Sequence, residues 1–167
     1  MSEYRQGPAP YRGGAPRFGQ GTPPPRPEFQ PPTPQQIEAI VVQGDARTLV
    51  ESAQRLGTAL AQRGLTTSQI RGIFGTVRQI QMKWPGGAGE TEARAAVRQL
   101  LLLKPKLAYQ ASRDNDRTGA VNDLQRVLVP AIDLVTTREQ FNHLVDYFEA
   151  ILAYHKAAGG RDDDRRR

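Results

Sequence analysis

An all-α fold is predicted by three features of the chain. Apolar residues recur at three and four positions through most of residues 33–160, Thr-x-x-Gln sets stand where apolar stripes begin, and no segment alternates with the period of a strand. These features predict a compact bundle of about five to six helices in one domain of residues 35–160, large enough to bury a core. Residues 1–34 hold ten of the 13 prolines. They are expected to be a disordered Pro/Gly/Arg-rich tail, too poor in aliphatic side chains to bury anything. Residues 161–167, RDDDRRR, read as a charged, disordered end.

The first helix is expected to start at Thr33-Pro34, where Thr caps and Pro suits the first helical position. Ile37, Ile40 and Val41 then follow helical spacing. After an interruption at Gly44-Asp45, the stripe resumes through Leu49, Val50, Ala53, Leu56, Leu60 and Ala61, with Gly64 as the stop. Thr66 with Gln69 forms a capping box, flanked by a Leu65–Ile70 staple. The helix that follows carries Ile70, Ile73, Phe74, Val77 and Ile80 on one face, with Arg71 and Arg78 two turns apart beside it. Gly72 and Gly75 each cost about 0.5–1 kcal/mol relative to Ala inside a helix, so either tight helix packing or contact with a ligand is expected there.

Trp84 to Gly89 is a loop by composition. The next helix begins at Glu90 and is expected to bury Ala93, Ala96, Val97, Leu100, Leu101 and Leu103, with Arg94 and Arg98 outward and Glu90 placed to pair with Arg94. Pro105 biases Lys104 away from helical backbone and frees the carbonyl of Leu101, so a break or kink is expected at Lys104. Beyond it, helical spacing puts Lys106, Tyr109, Gln110 and Arg113 on one face and Leu107 and Ala111 on the other. The lysines around Pro105 either bind a ligand or merely keep a leucine-rich segment soluble. Residues 113–119 read as a polar turn, and two carboxylates there, Asp114 and Asp116, are more often turn residues than metal ligands.

A helix from about Gly119 to Leu134 is expected to bury Val121, Leu124, Val127, Leu128, Ile132 and Val135, kinked or interrupted at Pro130. Thr136 or Thr137 caps the last helix, with Glu139 or Gln140 completing the box. Its stripe of Phe141, Leu144, Val145, Phe148, Ile151, Leu152 and His155 is the most regular in the chain. His155 is expected to pack with its ring nitrogens satisfied, and His143 lies off the stripe.

Charge is distributed unevenly. The net charge is +6, and residues 66–113 alone carry +6, from eight basic and two acidic side chains, while residues 114–160 carry −3. A basic third beside an acidic third predicts one side that faces a polyanion, nucleic acid first among them, and another that meets basic neighbours. The interleaving of Arg, aromatics and Gly at Tyr11-Arg12-Gly13-Gly14 and Arg17-Phe18-Gly19 fits either a plain linker or an RNA-binding tail.

The chain has no cysteine, no HExxH and no phosphate-binding GxxxxGK[ST] loop, so thiolate, zinc and P-loop chemistry lack their residues. No catalytic residue, metal ligand or cofactor is assigned. The absence of a membrane-length apolar run leads to the expectation of a cytoplasmic protein with no membrane partner.

Three blocks carry a resemblance: Leu65-Thr66-Thr67-Ser68-Gln69-Ile70-Arg71, then Leu103-Lys104-Pro105-Lys106-Leu107-Ala108-Tyr109-Gln110-Ala111-Ser112-Arg113, then Phe141 through Phe148-Glu149-Ala150-Ile151-Leu152-Ala153-Tyr154-His155-Lys156. In this order they resemble the small helical subunit of type III-A CRISPR effector complexes, the Csm complex, over about residues 37–156. The resemblance implies a non-catalytic subunit of an antiviral ribonucleoprotein, present in several copies that stack with one another and with other subunits along paired guide RNA and target RNA. It further implies that Arg71, Lys104, Lys106 and Arg113 contact RNA phosphates, and Arg78 joins them by its helical spacing from Arg71. Five such contacts would give a log–log salt slope of roughly −3.5 to −4.5. The competing reading is a helical protein–protein adaptor whose basic face docks an acidic protein.

Overall fold

The computed structural model describes residues 28–113 and 118–160, and within them seven α-helices and no strand. The helices are α1 (Pro34–Val41), α2 (Ala46–Gln62), α3 (Thr67–Lys83), α4 (Glu90–Leu101), α5 (Leu103–Ser112), α6 (Ala120–Asp133) and α7 (Arg138–Ala157). Asp114, Asp116, the C-terminal cluster and all but the last seven residues of the expected tail lie outside the described residues.

Three helix starts follow from side chains that satisfy otherwise unpaired backbone N–H groups. Thr33, Thr66 and Thr137 each accept from the N–H three residues on, while Gln36, Gln69 and Gln140 reach back to the cap. Asp45 caps α2 by accepting from the N–H groups of Arg47 and Thr48, and the Thr48 hydroxyl donates to it as well. These bonds, that from the Thr48 side chain foremost, hold the Asp45 carboxyl below its ordinary range. Gly64 ends the α2 corner with φ +88°, a left-handed conformation that favours glycine.

The long helix α7 runs along α2 and also meets α1 and α3, while α5 lies on α6. The expected stripes form the core: Ile70, Ile73, Val77 and Ile80 of α3, Val121, Leu124, Val127, Leu128 and Ile132 of α6, and Phe141, Leu144, Val145, Phe148 and Ile151 of α7 are all buried. Trp84 in the α3–α4 loop is buried too, stacked on Phe141 at 5.5 Å between ring centroids. At the α2–α7 crossing, a Cβ added to Gly57 would stand 2.7 Å from the carbonyl oxygen of Ile151 and the amide nitrogen of His155. Glycine there lets the two helix backbones approach.

Several expectations need correction. The break before α5 falls at Leu102, not Lys104, because Pro105 sits in the first turn of α5, where an N–H would have no helical partner anyway. Val50 and Leu101, expected in apolar stripes, are each 45% exposed; Leu100 is the last buried residue of α4 and Leu103 the first of α5. Of the two outcomes expected at Pro130, a kink or an interruption, the interruption does not occur: α6 continues three residues further to Asp133. His155 is buried with Nε2 2.8 Å from the Leu65 carbonyl, but its Nδ1 has no hydrogen-bond partner among the described residues. Phe29 is buried against the bundle, so the first 34 residues do contribute to the core.

Two polar pairs lie within the bundle. Arg63 pairs with the buried carboxylate of Asp123, and the guanidinium groups of Arg63 and Arg126 each stand 6.0 Å from the Phe29 ring. Ser52 and the buried phenol of Tyr147 share a 2.7 Å hydrogen bond, and burial pushes that phenol up to about 12.

Candidate nucleic-acid interface

Leu107 anchors α5. It is fully buried, and helical periodicity turns Lys106, Tyr109 and Gln110 outward, all exposed; Arg113, expected on the same helical face, instead caps the end of α5 in an extended conformation (φ −69°, ψ 145°), and is exposed there. Lys106 and Arg113 line one shallow hollow of about 510 Å³ with Leu102, Pro105, Tyr109 and Gln110. Arg113 also lines a smaller hollow of about 190 Å³ between α5 and α3, with Ser68, Gln69, Gly72, Gln110 and Val121. The end of α5 thereby faces the first turns of α3, and Arg113 belongs to both hollows.

The five expected cations divide into two groups. Among the described residues Arg71, Lys106 and Arg113 form no ion pair with a carboxylate, and all three are exposed. Lys104 Nζ is 2.6 Å from Asp133 Oδ1. Arg78 reaches Gln81 Oε1 at 2.6 Å and Glu149 Oε1 at 3.3 Å, which turns it towards α7. Arg71 lies on the exposed side of α3 beside Gly72 but lines neither hollow. Outside this set, Arg94 pairs with Glu90 as its spacing predicts.

The two interior glycines of α3 pack against no neighbouring helix: among the described residues a Cβ at Gly72 or Gly75 would meet nothing within 4 Å. Tight intramolecular packing is thus the wrong explanation for them. Ser68, Gln69 and Gln110 were not singled out as parts of a hollow from the sequence. Ser68 and Gly72 are four residues apart on one helix face, a usable signal, but the approach of α5 to α3 depends on tertiary packing.

Among the described residues no three His, Asp or Glu side chains gather in a set that would hold a metal ion, and no helix is long and apolar enough to cross a membrane. His143 Nδ1 is 3.0 Å from the Val41 carbonyl, a structural contact between α7 and the end of α1.

Fold and surface together define, among the described residues, a small all-helical protein that presents basic groups and apolar side chains on the outer faces of α3, α4 and α5. The family model described as Csm2 Type III-A matches residues 43–161, and the chain belongs to that family. Csm2 is a family of structural subunits, so the chain is a subunit of a type III-A Csm effector complex and assembles with the other Csm subunits. The match begins after α1, so α1 and Phe29 stand outside it. No curated protein and no solved structure matches the chain.

Proposed function

We propose that this chain is a non-catalytic subunit that grips the sugar–phosphate backbone of guide and target RNA in a cytoplasmic, antiviral Csm ribonucleoprotein. The observation that carries the proposal is the pair Lys106 on α5 and Arg113 at its C-terminal end, which line one hollow, exposed and without a described carboxylate partner. Arg71 on α3 extends the contact, and Lys104 and Arg78 join when RNA phosphates compete with Asp133 and Glu149. Contacts of this kind hold a polyanion without reading bases, which leaves sequence choice to guide pairing. Several copies stack along the complex, and the exposed Leu101 and Leu102 supply apolar surface for a neighbouring subunit.

The test is recovery of the tagged subunit from its native cell. The expected result is a ribonucleoprotein holding a short guide RNA of defined length, crosslinked by ultraviolet light to peptides of α5. Recovery in the assembled complex with crosslinks confined to other subunits would favour the adaptor reading, in which the basic face of α5 docks an acidic protein.

A further inference from the structure

We propose that Tyr109 is a stacking platform for an unpaired nucleobase, a site that backbone gripping alone does not require. This inference rests on the RNA-contact reading of α5 and gives that face a second kind of contact. Tyr109 is 66% exposed, whereas the other described aromatic rings are buried or packed against the core. Among the described residues the core therefore makes no use of this ring.

Its surroundings match what a base needs. The Arg113 guanidinium lies 5.9 Å from the ring centroid, close enough for a cation–π contact that restrains the ring. Lys106, one helical turn before it, supplies a second cation, and Leu102 and Pro105 form the apolar wall of the same hollow. An aromatic ring in a hollow lined by two cations suits single-stranded nucleic acid: phosphates meet the cations and a base covers the ring. Bases inside a continuous duplex have both faces covered by neighbours. The base on Tyr109 is therefore splayed out of the heteroduplex or belongs to a single-stranded extension, and any of the four bases serves because each has a π face. Flanking positive charge favours this occupant over an apolar protein segment, even though Leu102 is 52% exposed.

The test uses the assembled complex with target RNA carrying 5-iodouridine at successive positions, irradiated and mapped by mass spectrometry. The expected result is a crosslink to Tyr109 from one or a few positions. Tyr109→Ala should weaken RNA binding by about 5- to 150-fold, from about 1–3 kcal/mol per stacked base, with the salt slope unchanged. Tyr109→Phe should keep the wild-type affinity, because it keeps the ring. Wild-type affinity for Tyr109→Ala together with no crosslink would overturn the proposal, as would loss of a protein subunit from the Tyr109→Ala complex. Should charge reversal at Lys106 and Arg113 weaken RNA binding while Tyr109→Ala does not, stacking alone is wrong. Should charge reversal also leave RNA binding intact, the reading beneath it fails.

Discussion

The ammonium of Lys104 stands 2.6 Å from Oδ1 of Asp133, joining the first turn of α5 to the last residue of α6. Both side chains are partly exposed, so the pair contributes on the order of 0–1 kcal/mol to stability. Its larger consequence is functional, since a lysine shared with a carboxylate neutralises less phosphate charge than a lone one. Lys104→Ala is therefore expected to lower the salt slope of RNA binding by less than Lys106→Ala, for which roughly 0.7–0.9 is expected. Asp133→Asn, which releases Lys104, should steepen the wild-type slope. Titrations of the assembled complex at several salt concentrations measure all three.

Glycines in two helices are expected to respond in opposite directions to alanine. Gly57→Ala forces a Cβ into the α7 backbone and should cost roughly 1–3 kcal/mol or more. Gly72→Ala and Gly75→Ala meet open space and should each gain about 0.5–1 kcal/mol from helix propensity. Urea denaturation of the three variants decides the matter.

That contrast also marks what was legible in the sequence. Apolar spacing at 3.6 residues and the Thr-x-x-Gln boxes announce their helices because both signals are local, and the outward face of α5 follows from Leu107 pointing in. Gly57 carries no local signal of its role, because the close crossing of α2 and α7 joins residues nearly a hundred positions apart. Likewise the Arg63–Asp123–Phe29 cluster unites three distant segments, and Asp123 reads as one more surface acid until α6 is packed. Lys104 was recognisable as a basic residue, but its partner Asp133 was not, for the same reason.

Alkaline pH is expected to destabilise the bundle through Tyr147. Burial raises its folded-state value from 10 to about 12, so the unfolded chain releases the phenolic proton first. The contribution of Tyr147 is fully present below pH 10 and is lost as pH rises towards 12, by up to about 3 kcal/mol. Tyr147→Phe should remove this part of the pH dependence while costing roughly 1 kcal/mol at pH 7 by leaving the Ser52 hydroxyl without its partner. Denaturant midpoints of both proteins from pH 8 to 11 provide the comparison.

Phe29 lies ahead of the family match yet is buried beside Arg63 and Arg126. Phe29→Ala should cost about 3 kcal/mol, and removal of residues 1–34 should cost at least as much because the Thr33 cap goes with it. For a chain of this size each kcal/mol lowers Tm by roughly 2–4 °C. Calorimetry of the shortened chain would contradict this if its Tm matched that of the full chain.

The most direct measurement is the salt dependence of RNA binding by complexes assembled with Arg71, Lys106 and Arg113 all changed to Ala. These side chains are exposed, so the bundle should keep its helix content and Tm and still assemble. If they grip RNA phosphates, the log–log slope should flatten by about 2–3 and affinity should fall accordingly. An intact complex whose slope and affinity equal those of the wild type would contradict RNA contact by this face.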